Sequence, residues 1–249
     1  MAAKPWISGP KELLDHAASH LSEGDGFDYR IALISIDNAV ELTIRTFLGL
    51  PKRARGCDGP SRKDLQSASN SFSALLDLLE AYASDRLEGV ELGDIEWYHR
   101  VRNTLYHDGN GVTVESAQVE AYLEVAKLLF RNLFDTAIDT ASSPSESTSI
   151  GRFMLRWAQV EHNLRILCSE YLRDESRATR TPLASIEALR EVGAISNPLA
   201  ERLHELRVAR NEVVHGHKVP EPKEFRSLLA SLTNVVAELN NACTAQRKA

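Results

Sequence analysis

Apolar residues recur in this chain with the period of an α-helix. Leu33, Ile36, Val40, Ile44 and Phe47 are spaced by 3, 4, 4 and 3 residues, which places all five on one helical face. The stripe returns at Val119, Tyr122, Ala126, Leu129 and Leu133, at Trp157, Val160, Leu164, Leu167 and Tyr171, and at Phe225, Leu228, Leu229, Leu232, Val235 and Leu239. Strand-like alternation has no comparable length: the one β-leaning stretch, Gly111 to Val114, is short and follows an Asn-Gly turn signal. Such a chain buries its apolar surface by packing helix on helix, so the expected fold class is all-α.

At 43 % hydrophobic and 26 % charged residues, the composition supports a core without disulfides or a structural metal. Apolar runs are broken by charge well before 18 residues, and the opening Met-Ala-Ala-Lys-Pro-Trp is not followed by the apolar core of a signal peptide. A cytoplasmic protein with no membrane span is expected. Cys57, Cys168 and Cys243 are odd in number, far apart and without a C-x-x-C pair, which suits a reducing compartment and spells neither a zinc ribbon nor a disulfide framework. A net charge of −6 means that any nucleic-acid site must be local.

The polar run Ala141 to Ser149 is too rich in hydroxyls to favour a helix interior. It divides the sequence into a first helical domain at 1–140, with an extra N-terminal helix, a linker at 141–149, and a second helical domain at 150–249. Both sides show the same order of parts: a long amphipathic helix, a basic loop, a short helix, a polar-edged helix ending near Gly, and a final amphipathic helix. The polar-edged helix carries Arg102-Asn103-Thr104-Leu105-Tyr106-His107 in the first copy and Arg210-Asn211-Glu212-Val213-Val214-His215 in the second, with 108 residues between the two Arg and between the two His. Two chance occurrences of R-N-x-x-x-H in a chain of this composition have an expectation on the order of 10⁻³ or less. Upstream, Glu41 and Glu161 each follow a Val of the long helix's stripe.

R-N-x-x-x-H behind a long helix reading Ile-Asp-Asn-Ala-Val-Glu-Leu resembles the HEPN superfamily of small helical domains, most closely over Arg102 to Gly111. The resemblance spans roughly residues 25–140 and 148–246. It implies bundles of four or five helices that pair, here as two tandem domains packed into an internal pseudo-dimer. In many members it also implies a metal-independent endoribonuclease whose Arg and His sit in the shared cleft. The second copy departs from the first, with Trp157-Ala158-Gln159-Val160-Glu161 in place of Asp37-Asn38-Ala39-Val40-Glu41 and with Lys218-Val219-Pro220 after its His.

Residues five apart on an ideal helix diverge by about 140°, so one copy alone focuses its Arg and His poorly. Packed about a pseudo-two-fold axis, Arg102, His107, Arg210 and His215 would converge. Such a cleft suits RNA cleavage, with His moving the 2′-OH or 5′-oxygen proton and Arg neutralising the phosphate oxygens. The products would be a 2′,3′-cyclic phosphate and a 5′-OH; no cofactor or metal is expected, and DNA should resist. Asn103 and Asn211, four residues before each His, either orient it or cap the backbone. Glu41 and Glu161 either pair with a motif Arg or are surface carboxylates, and Tyr106 either contacts RNA or is a partly buried aromatic. The Gly after each His is a natural helix stop. Lys52, Arg53, Arg55, Arg62 and Lys63 in one loop, and Arg173, Arg177 and Arg180 in the other, are candidates to steer RNA.

His99 and the pair His215 and His217 lack accompanying ligands at metal spacing. RNA is the expected partner, with an antitoxin or other regulatory protein as a second; the setting of a toxin or antiphage effector follows from the resemblance alone. Two other classes stay open: a module that binds a nucleotide or RNA without cutting it, and a protein-interaction scaffold.

Overall fold

The computed structural model describes residues 5–107, 113–138, 147–172, 181–216 and 220–246. Among them are eleven α-helices, three short 3₁₀ turns and no strand, and no helix is long and apolar enough to cross a membrane. The chain divides into two compact units, residues 1–147 and 148–249.

In the first unit, α1 (Ser8–Glu23) and α2 (Gly26–Gly49) are followed by α3 (Lys52–Arg55), α4 (Arg62–Ser67), α5 (Phe72–Ala83), α6 (Leu92–His107) and α7 (Ser116–Phe134). The N-terminus of α2 is capped by Asp25, whose carboxylate accepts from the N–H groups of Phe27 and Asp28. Those two backbone bonds, Asp28's first, hold the Asp25 carboxyl below its ordinary value. Helix α2 is the centre of the unit, packing against α1, α5, α6 and α7. Leu33, Ile36, Val40, Ile44 and Phe47 are all buried, as are Val119, Tyr122, Ala126, Leu129 and Leu133 facing them from α7.

The stretch expected as a basic loop is built as the two short helices α3 and α4. It also contains a structural cation. Arg55 is only 7 % exposed, and its guanidinium donates to the carbonyl of Leu48 at 2.5 Å and to that of Cys57 at 3.3 Å. It thereby satisfies a carbonyl that the end of α2 leaves open. A Cβ at Gly59 would overlap the Arg55 guanidinium. Gly59→Ala must therefore push a buried, hydrogen-bonded cation off its acceptors, and should lower stability by about 1–3 kcal/mol. Thermal unfolding of the variant checks this; an unchanged midpoint would mean that Arg55 has another place to go.

The second unit contains α8 (Ser147–Tyr171), α9 (Pro182–Glu191), α10 (Asn197–Val214) and α11 (Pro222–Gln246). Its long helix starts at Ser147, three residues earlier than a domain start at 150, because hydroxyl residues that disfavour helix interiors are well tolerated in a first turn. The rest of the expected linker, 141–146, lies outside the described residues. Thr181 caps α9 and Ser196 caps α10, each accepting from a backbone N–H three residues on. Trp157, Val160, Leu164 and Leu167 of α8 are buried, as are Phe225, Leu232, Val235 and Leu239 of α11, while Tyr171, Leu228 and Leu229 are half-buried at the edges of their stripes.

Candidate functional site

In unit 1 the stripe of α2 is interrupted by a carboxylate. Asp37 stands four residues after Leu33 and three before Val40, so a straight helix carries it into the core. It is 0 % exposed. An ionisable group there is tolerable only when its oxygens are filled, and three side chains from two other helices supply the partners. Tyr122 of α7 donates its hydroxyl to Oδ1 at 2.9 Å. His99 of α6 bonds Oδ2 through Nδ1 at 2.9 Å, and Arg102 brings Nε to 3.5 Å from the same oxygen.

Aromatic rings fix two of these partners. Tyr122 lies parallel to Tyr98 at 4.0 Å, and the Tyr98 hydroxyl donates to the carbonyl of Gln118 at 2.9 Å. Burial, and then the negative charge of Asp37 with the hydrogen bond to it, push the Tyr122 phenol well above its ordinary value, so it stays a donor. His99 stacks on Phe72 of α5, with centroids 3.9 Å apart and planes 13° from parallel.

Arg102, the first residue of the first motif, is held on three sides. Beyond Asp37, one terminal nitrogen donates to Asn38 Oδ1 and the other to Asn103 Oδ1, both at 3.0 Å. Its side chain remains 24 % exposed. Asn103 therefore spends its oxygen on Arg102. The second copy repeats this bond, Arg210 donating to Asn211 Oδ1 at 3.4 Å. There the similarity of surroundings ends. The position of Asp37 is taken by Trp157, fully buried, whose indole N–H donates to Glu161 at 2.5 Å. Arg210 is 0 % exposed, whereas Arg102 keeps a share of the surface. His215 is the half-exposed C-cap of α10, its N–H bonding the carbonyl of Asn211 at 2.9 Å, and Gly216 follows with φ of +66°.

Other candidates are placed differently from expectation. Glu41 pairs with Arg45 on its own helix at 2.7 Å; the α2 residues that reach the motif Arg are Asp37 and Asn38. Arg55, expected as an RNA contact, is buried with its guanidinium on the carbonyls of Leu48 and Cys57. Lys52, Arg53, Arg62 and Lys63 are exposed, with Lys52 paired to Asp58 at 2.6 Å. His107 closes α6, but its side chain and that of Tyr106 lie outside the described residues, as do Arg173, Arg177, Arg180 and His217. Among the described residues, His20, Glu23 and Asp28 offer ligand atoms within 4.8 Å of one another; His20 and Asp28 already form an ion pair at 2.7 Å.

Asp37, Asn38, His99 and Tyr122 were not among the expected site residues. The signal for Asp37 was present as a carboxylate on an apolar stripe, and a buried polar group is more informative than any exposed one. His99 stands one turn before Arg102 on the same face. Comparison of the chain with family models, with curated proteins and with solved structures returned no match.

Proposed function

We propose that the protein is a metal-independent endoribonuclease of the HEPN kind, its two bundles acting as an internal pseudo-dimer. In this reading the Arg102–His107 and Arg210–His215 motifs contribute to one composite site for an RNA phosphodiester. The biological setting proposed with it is a toxin or antiphage effector restrained by a partner protein. The observation that carries the reading is the repeated motif, in which each Arg donates to the Asn beside it. In unit 1 that Arg is also anchored to a buried carboxylate while its guanidinium keeps a share of the surface.

Pre-oriented guanidinium groups are suited to the charge that develops on phosphate oxygens during transesterification. An imidazole at a helix terminus is suited to move the 2′-OH or 5′-oxygen proton near neutral pH. Incubating the full chain with end-labelled RNA in EDTA tests the proposal. Cleavage should persist without free metal and fall by about 10²–10⁴-fold in His107→Ala. RNA bound but left intact would favour the binding module instead, and RNA neither bound nor cut would favour the scaffold.

A further inference from the structure

We propose that His99, held by Asp37, is an acid–base group that unit 1 contributes to the RNA-cleaving site, a role that rests on the ribonuclease reading and adds a residue outside the repeated motif. His99 Nδ1 is fixed at 2.9 Å from a fully buried carboxylate, which selects the tautomer that leaves Nε2 as the proton acceptor. The ring plane is set by the parallel Phe72 at 3.9 Å. Nε2 makes no hydrogen bond among the described residues, and the side chain is 17 % exposed, so one edge of the ring reaches water. A histidine kept only for packing does not need a second nitrogen left over at the surface.

Placement relative to Arg102 separates His99 from other histidines. Both bind the same oxygen of Asp37, which fixes the imidazole and guanidinium as neighbours. Helical geometry agrees: three residues back along α6 is about 60° around the axis, whereas His107, five residues forward, is about 140° away. Unit 1 thus carries an Arg–His pair without drawing on unit 2. The second copy has no equivalent, since Trp157 and Arg207 occupy the positions of Asp37 and His99.

In the proposed step, His99 Nε2 takes the proton of the ribose 2′-OH as the O2′–P bond forms. The P–O5′ bond breaks, and the leaving 5′-oxygen takes a proton from water. A 2′,3′-cyclic phosphate and a 5′-OH result, Arg102 neutralises a non-bridging phosphate oxygen, and the imidazolium returns its proton to solvent.

The test uses the full chain and an end-labelled oligoribonucleotide in EDTA. His99→Ala should lower kcat by about 100-fold or more with little change in KM, and added imidazole should restore at least about a tenth of the lost rate by entering the vacated space beside Asp37. His99→Gln, which keeps a donor for Asp37 and so guards the fold, should be equally slow while unfolding near the wild-type temperature. A folded His99→Gln variant that cuts at the wild-type rate, or a His99→Ala variant that imidazole leaves inactive, overturns the role of His99 while leaving the nuclease reading standing. A wild-type protein that cuts no RNA overturns both.

Discussion

Asp37→Ala is expected to lower the stability of unit 1 by about 3 kcal/mol, the lower end of the cost of breaking a buried charged pair from one side. The carboxylate receives Tyr122 on one oxygen and His99 with Arg102 on the other. Deleting it leaves a buried phenol without its acceptor and two nitrogen-rich side chains facing a cavity. The lower end applies because Arg102 and His99 retain some access to water and can turn outward, while Tyr122 cannot. For a unit of this size the loss corresponds to a fall of about 10 °C in melting temperature. It should be visible as faster amide exchange confined to α2, α6 and α7. Unchanged exchange in those three helices would show that Asp37 does not tie them together.

The same slot in unit 2 should respond by a different mechanism. Trp157 is the largest fully buried side chain among the described residues, and Trp157→Ala removes an indole that its neighbours cannot replace. Core truncations of this kind cost about 3–5 kcal/mol, and Glu161 loses its indole donor as well. The upper half of that range is expected, with accelerated exchange centred on α8. Trp157→Phe separates the two contributions: it keeps most of the apolar volume and drops the hydrogen bond, so it should recover most of the loss. If both variants unfolded alike, the bond to Glu161 and not the packed ring would be the dominant interaction.

Both expectations concern positions that only a comparison of the copies brings into register, and they show which parts of the molecule were readable beforehand. The four apolar stripes marked four long helices, and nearly all their members are buried because period alone decides which side of a helix leaves water. Leu228, Leu229 and Tyr171 are half-buried because a stripe's edge depends on what packs beside it. Arg102 and Asn103 were legible from the repeated motif, but the partners of Arg102 come from α2 and depend on how α2 and α6 cross.

Charge in a stretch between long helices carried less information. Arg55 and Arg53 are two residues apart and chemically identical, yet one satisfies the carbonyl of Leu48 and the other faces solvent. What separates them is the direction of the chain after Gly49, which no local pattern encodes. Glu41 followed similar logic: a carboxylate at a stripe's edge has several cations within reach, and Arg45, one turn along the same helix, captures it. The divergence of Arg102 and Arg210 is of the same kind, since the motif shared by both units has Asp37 as a partner in one, while the corresponding sequence position in the other is Trp157.

The chemistry proposed for the site makes one demand that no structural or binding role shares, namely a ribose hydroxyl at the bond that is cut. A labelled oligoribonucleotide and a copy with 2′-deoxyribose at the single preferred cleavage position, each incubated with the protein in EDTA, isolate that demand. The account predicts that the all-ribose strand yields a 2′,3′-cyclic phosphate and a 5′-OH while the substituted strand stays intact at that position. Cleavage of the deoxy-substituted bond, or fragments ending in a 3′-OH and a 5′-phosphate, would contradict it.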